Sequence, residues 1–157
     1  MKKRRNIFLI LAVLWMGLIF SFSARPAELS SNDSYEVGIL IGNIFVPGFE
    51  DLDLEEQTAF AKKIDHPVRK SAHFIEYAIL GFFFASALTG NMKNKQMEIV
   101  TPWVLGSLYA VTDEFHQLFV PGRSGQITDV MLDSLGVFTG VLVAGVIFSL
   151  FVKKKRG

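Results

Sequence analysis

The chain of 157 residues contains no cysteine. That absence excludes a disulfide-stapled secreted module, and with it thiol catalysis and thiolate-ligated metal sites. An excess of one charge is missing too: 16 Lys and Arg face 15 Asp and Glu, a net charge of +1, so overall charge gives no case for nucleic acid as a partner. Glycine-rich phosphate loops and a His-Glu-x-x-His pair are absent. No Ser/His/Asp nucleophile arrangement can be read from the spacing. Disorder is excluded from the other direction, because half of the residues are apolar and 15 are Phe.

What the sequence does have is clustering. An apolar half is ordinary for a soluble domain, but here the charged residues fall mostly between long apolar runs. Four stretches, about 7–23, 71–90, 99–120 and 130–152, approach the roughly 20 helical residues that cross a bilayer core of about 30 Å. The fourth is the clearest and the third the weakest. Beyond Thr112 the third carries Asp113, Glu114, His116 and Gln117, which a span tolerates only where that end is buried against protein or wetted near the interface. The reading is an all-α, four-transmembrane-helix bundle forming a single domain over 1–157, with 24–69 as a long extracytoplasmic loop.

Basic residues orient it. Lys2, Lys3, Arg4 and Arg5 precede the first span, Lys93 and Lys95 lie between the second and third, and Lys153, Lys154, Lys155 and Arg156 follow the fourth. Parity puts all three clusters on one side, so both termini are expected in the cytoplasm of a multi-pass bacterial inner-membrane protein. A basic start, an apolar run and small residues at Ser21, Ser23 and Ala24 also describe a secretory signal peptide; retention of the first span is the preferred reading.

Within 24–69, the Ser/Asn/Asp cluster from Ser30 is suited to capping a helix that runs to Phe45. Its apolar face would be Val37, Leu40, Ile41, Ile44 and Phe45, and Pro47-Gly48 would end it. Asp53 followed by Glu56 predicts a capping box for a second short helix. Pro67 suits the first turn of the second span. Short amphipathic helices lying on the membrane or over the bundle mouth are expected here.

The functional reading rests on where polar residues recur. Lys70, His73, Glu76 and Tyr77 share a face at the outer end of the second span. Asp113, Glu114 and Gln117 fall in the last two turns of the third, with His116 beside them. Asp129 and Asp133 lie one turn apart at the start of the fourth, and Arg123 occupies the turn Pro121-Gly122-Arg123-Ser124-Gly125 between. All sit at one depth toward the outer leaflet, where an ionisable residue is a functional-site hypothesis. A salt-bridge network that only pins helix ends is the competing reading. His73, His116, Glu76 and the aspartates are competent metal ligands, but no metal signature is present, and no metal or cofactor is expected. Gly136 and Gly140 form a Gly-x-x-x-Gly face that would serve a homodimer or internal packing.

At these residues the sequence resembles the VanZ-like family of small bacterial membrane proteins. The matching stretches are Arg69–Gly81, Thr112–Gln117, Pro121–Gly125 and Asp129–Gly136, with Phe20-Ser21-Phe22-Ser23 and Pro26 after the first span. The resemblance covers about 7–150 and implies an uncleaved four-span protein. Asp133 stands where many members carry Asn. The family is named for a protein associated with raised resistance to the glycopeptide teicoplanin, and the resemblance assigns no reaction.

Three functions remain open at this point. The first is binding of an anionic lipid or cell-wall precursor group by Lys70 and Arg123 with the histidines, Glu76, Asp113, Glu114 and Asp129 holding the cations. A second is an intramembrane enzyme acting on a lipid-linked phosphate or ester, with His73 as base or nucleophile beside Glu76, and Asp113 or Glu114 as the acid. A proton-coupled carrier is the third, weakened by the bland cytoplasmic halves of the spans.

Overall fold

The computed structural model describes residues 2–90, 92 and 94–154, the last four as backbone only. Lys93, Lys155 and Arg156 of the basic clusters lie outside the described residues, as do the side chains of Lys153 and Lys154. Regular structure among the described residues is entirely helical: α1 (Lys2–Ser23), α2 (Ala27–Phe45), a 3-10 turn (Phe49–Asp51), α3 (Leu54–Leu88), α4 (Lys95–Gln117) and α5 (Ile127–Lys154).

Helix α3 is the spine, packed against all four of the other α-helices. Small residues let α5 lie almost backbone to backbone on it. A Cβ added to Gly136 would come within 2.5 Å of the Phe74 carbonyl, and one on Gly140 within 1.8 Å of the Ala78 carbonyl. The Gly-x-x-x-Gly stripe is therefore occupied by α3 of the same chain and is not open to a second copy. Tyr77, Leu80, Val137, Val141, Ala110, Ala12 and Ile19 form the core between α1, α3, α4 and α5. Helix α1 is pinned by two indirect readings of its neighbours: Trp15 donates to the Glu76 carbonyl at 2.8 Å, and the Tyr109 hydroxyl donates to the Met16 carbonyl at 2.7 Å.

Two expectations for 24–69 are corrected. The second short helix and the second span are one helix of 35 residues that begins at Leu54 and runs straight through Pro67. Its capping box forms as the sequence predicts, with Asp53 accepting from the Glu56 amide at 2.8 Å and Glu56 reaching back to the Asp53 amide. Pro67 removes one donor from the ladder, yet contacts on either side hold the helix: Asp65 accepts from Ser34 on α2 and from Arg69 at 3.0 Å. The other correction concerns α2, which starts at Ala27 rather than at the polar cluster; the residues it buries are Ser34, Gly38 and Gly42. Gly38 lies on Ala61, and the Phe49 ring fills the space where a Gly42 side chain would stand. Leu40, Ile44 and Phe45 stay exposed.

Among the described residues, three helices are long and apolar enough to cross a membrane: Lys2–Ser23, Leu54–Leu88 and the Ile127–Leu150 part of α5. Helix α4, matching the expected third span, is long enough at 23 residues but is not among them. One end of the bundle gathers the chain's first helix and its last, since Arg4 bonds the Thr89 carbonyl and lies 4.8 Å over the Phe148 ring. The opposite end holds the α1–α2 connector, the α4–α5 turn and the polar residues.

Candidate functional site

Helices α3 and α5 run in the same direction, so side chains one turn apart on each fall into register. Lys70 Nζ meets Asp129 Oδ1 at 2.7 Å. One turn deeper, His73 Nδ1 stands 3.8 Å from Asp133 Oδ2, a charge contact too long for a hydrogen bond. Tyr77, the next residue of this face, is wholly buried.

Helix α4 comes up against this face and supplies the second layer. Asp113, Glu114 and Gln117 are all buried, and Gln117 Nε2 bridges the two acids, donating to Asp113 Oδ2 at 3.3 Å and to Glu114 Oε1 at 3.2 Å. The other Glu114 oxygen accepts the Gln126 amide at 2.9 Å, which ties α4 to the start of α5. That approach requires Gly125, whose Cβ would otherwise lie 2.6 Å from the Glu114 carbonyl.

Arg123 projects from the turn, where Gly122 adopts φ +74°, toward the α1–α2 connector. Its Nε donates to the Arg25 carbonyl at 2.9 Å, and Nη2 donates to the Phe22 carbonyl and to Ser30 Oγ at 3.1 and 2.6 Å. Three of five donors are thus engaged, and the two on Nη1 are left over. Burial, and after it the Arg69 charge, lowers this guanidinium's proton affinity, while Asp113, Glu114 and Glu76 raise it; an arginine remains cationic regardless.

These residues enclose a polar cavity of about 180 Å³ walled by Arg69, Lys70, His73, Arg123, Asp129 and Asp133, with His66 and Gln126 at its edge. Arg69, His73 and Arg123 also wall a second hollow of about 220 Å³ on the α2 side, reached by Glu76, Arg25 and Asp33. Glu76 lines this second hollow beside His73, while Asp133 stands by His73 in the first. His116 is drawn out of the cluster: its ring lies 4.6 Å from that of Phe20 on α1. Several buried polar atoms here lack a hydrogen-bond partner, namely His73 Nδ1, Tyr77 Oη, Asp113 Oδ1 and both Asp133 oxygens.

His66, Asp65 and Ser34 were not singled out from the sequence. Taking Pro67 as a helix start leaves 65 and 66 in a loop; on a continuous helix His66 is three and four residues from Arg69 and Lys70 and shares their face.

Chemically the cavity offers cations from two elements, a histidine held against a carboxylate, and buried acceptors awaiting donors. It suits an anion, and it suits a proton transfer at His73. Among the described residues no group of three or more His, Asp or Glu is placed to hold a metal ion.

No curated protein and no solved structure matches the chain. The sequence model of the VanZ/LLP1 family matches residues 8–149, a stretch that includes every residue of the cluster. With that match over nearly its whole length and three helices apolar enough to span, the chain is a membrane protein of the VanZ/LLP1 family.

Proposed function

We propose that this is a four-crossing protein of the bacterial inner membrane whose outward-facing cavity binds the anionic group of a lipid or cell-wall precursor, and that it modulates the envelope by doing so. Glycopeptide (teicoplanin) susceptibility is one phenotype on which this would register. The fourth crossing is α4, and its inverted surface supports that reading. Asp113, Glu114 and Gln117 point inward and are at most 5% exposed, whereas Leu108, Val111 and Phe115 are at least half exposed. Such a surface is costly in water and natural against acyl chains. Orientation follows from the basic residues Lys2–Arg5 and Lys95. Retention of α1 is supported by the bonds that tie its own residues Trp15 and Met16 to α3 and α4.

The observation that carries the binding reading is the cavity itself, with Arg69, Lys70 and Arg123 on its walls. Its volume is several times the ~30 Å³ that one water occupies in the liquid. A network that merely pinned helices would close on itself, since each buried polar group left without a partner costs about 1–3 kcal/mol. Here five such atoms remain, three of them on His73 and Asp133 of the cavity wall. The test is native mass spectrometry of protein released from membranes with lipids retained. Wild type is expected to carry an anionic adduct that the Arg69→Gln/Lys70→Gln variant lacks. An adduct of equal occupancy in that variant, at equal accumulation, overturns the reading.

The pairing of His73 with Asp133 favours one second reading, a hydrolase for a lipid-linked phosphate or ester. His73 would take a proton from attacking water while Asp133 steadies the imidazolium and Lys70 with Arg123 stabilise the developing oxyanion; the imidazolium would then return the proton to the leaving oxygen as its bond to phosphorus or acyl carbon breaks. His73→Gln should then abolish turnover and spare binding; undiminished turnover removes it.

A further inference from the structure

A cavity for a charged group leaves open where the rest of its ligand lies. Two of the polar cavity's residues, Lys70 and Leu132, also wall a separate hollow of about 380 Å³ on the outer surface of the α3–α5 seam, completed by Ser71, Phe74 and Ile75. Apart from Lys70, nothing charged lines it. Ile75 is more than half exposed, so the hollow opens sideways rather than toward the bundle's end. From Lys70 to Phe74 and Ile75 is four to five residues down α3, about 6–8 Å at helical rise. Lys70 is itself bonded to Asp129 at 2.7 Å and remains one-third exposed, so its ammonium stands at the junction of the two spaces.

From this continuity we infer that the ligand is a membrane-resident anionic amphiphile that enters laterally between α3 and α5. Its phosphate or carboxylate lies in the polar cavity at Arg69 and Lys70, and its hydrocarbon chain lies against Phe74, Ile75 and Leu132. The inference rests on the binding function proposed above and narrows it. A soluble anion arriving from water would have no use for an uncharged groove one turn below the cation that receives it. An amphiphile needs that arrangement, because its first methylenes lie just beneath its charged group. Moving a chain from bilayer to groove gains little hydrophobic energy, lipid being as apolar as the wall. The groove therefore acts by fit, and filling it should exclude the ligand sterically.

The experiment uses the full chain in two arms. In one, protein is exchanged into vesicles containing phosphatidylglycerol, and retained lipid is counted by native mass spectrometry. In the other, binding of glycerol phosphate, the same charged group without a chain, is measured in detergent. Ile75→Trp fills the groove and replaces no cavity residue. Ser71→Phe is a second, exposed variant should the first fail to accumulate. The expected result is a loss of retained lipid of about tenfold, equivalent to about 1.4 kcal/mol, with glycerol phosphate binding within twofold of wild type. Wild type that retains lipid but ignores glycerol phosphate also supports the inference, because the chain then carries part of the affinity. Lipid retention unchanged in both groove variants overturns it and leaves the cavity reading standing. Failure of wild type to hold either probe overturns both. A disulfide linking two copies through Ile75→Cys, with no lipid displaced, would assign the groove to a second copy and overturn the inference as well.

Discussion

Asp133 is the residue on which the cavity's chemistry turns. It is wholly buried, has no hydrogen bond, and stands 3.8 Å from His73. An aspartate so placed is tolerable only if its neighbour shares the charge, because an uncompensated buried charge is expensive. His73→Gln and Asp133→Asn should therefore each lower the melting temperature in detergent, while the double variant loses less than the sum. The expected coupling is about 1 kcal/mol or more, and strict additivity would show that the two do not act on each other. Arg123 poses the opposite case, a cation already engaged. Its fork grips the Phe22 carbonyl at the end of α1, the Arg25 carbonyl of the connector and the Ser30 hydroxyl on α2. Arg123→Lys should fail to restore what Arg123→Ala removes, since an ammonium cannot reproduce the fork. Charge-assisted bonds of this kind are worth about 1.5–3 kcal/mol each before non-additivity. Both variants should lower the melting temperature in detergent; a value equal to wild type would show the connector is held by other means.

At the scale of elements, the seam between α3 and α5 is the least forgiving contact. Gly140→Leu would drive a side chain into the Ala78 carbonyl, and backbone cannot move aside as a flexible side chain can. The expected cost is about 1–3 kcal/mol or greater, read as lost accumulation or a lowered melting temperature. Gly17→Leu is the control, because nothing lies within 4 Å of a Cβ there. Equal losses in both would mean the seam is looser than its geometry. The Gly stripe was visible in the sequence, but whether it faced a sister chain or its own α3 was not, since small residues allow close approach to any helix. Pro67 is less legible. Proline favours a first turn, and here it lies inside a continuous helix flanked by the contacts of Asp65 with Ser34 and Arg69. In α2 the stripe of Val37, Leu40, Ile41, Ile44 and Phe45 marks an apolar face without saying which side packs on protein. The face that packs is Ser34, Gly38 and Gly42, spaced four apart with equal regularity. Hydrophobicity marks the buried side of a helix in water, but beside a bilayer it marks the exposed side equally well, and size then decides packing.

For the whole molecule the governing quantity is the side on which each end lies. The gathering of Lys70, His73, Asp113, Glu114, Arg123, Asp129 and Asp133 at one end was legible because helical spacing and alternating direction fix depth without any knowledge of contacts. Their pairing was not, because rotation of a helix about its axis depends on the neighbours it meets. The same alternation makes a sharp claim about topology. If α4 crosses, the α3–α4 and α4–α5 connections lie on opposite faces of the membrane; if it does not, they lie on one. The absence of cysteine makes the experiment clean, since each introduced thiol is the only one. Exposed positions suit it: Glu50 and Ser124 at the cavity end, and Lys95 at the other. In intact cells a membrane-impermeant maleimide should label Glu50→Cys and Ser124→Cys, and should reach Lys95→Cys only after permeabilisation. The reverse pattern would invert the protein and turn the cavity toward the cytoplasm. Labelling of Ser124→Cys and Lys95→Cys from the same side would remove α4 as a crossing. The buried acids of α4 would then need another solvent to account for the apolar surface around them.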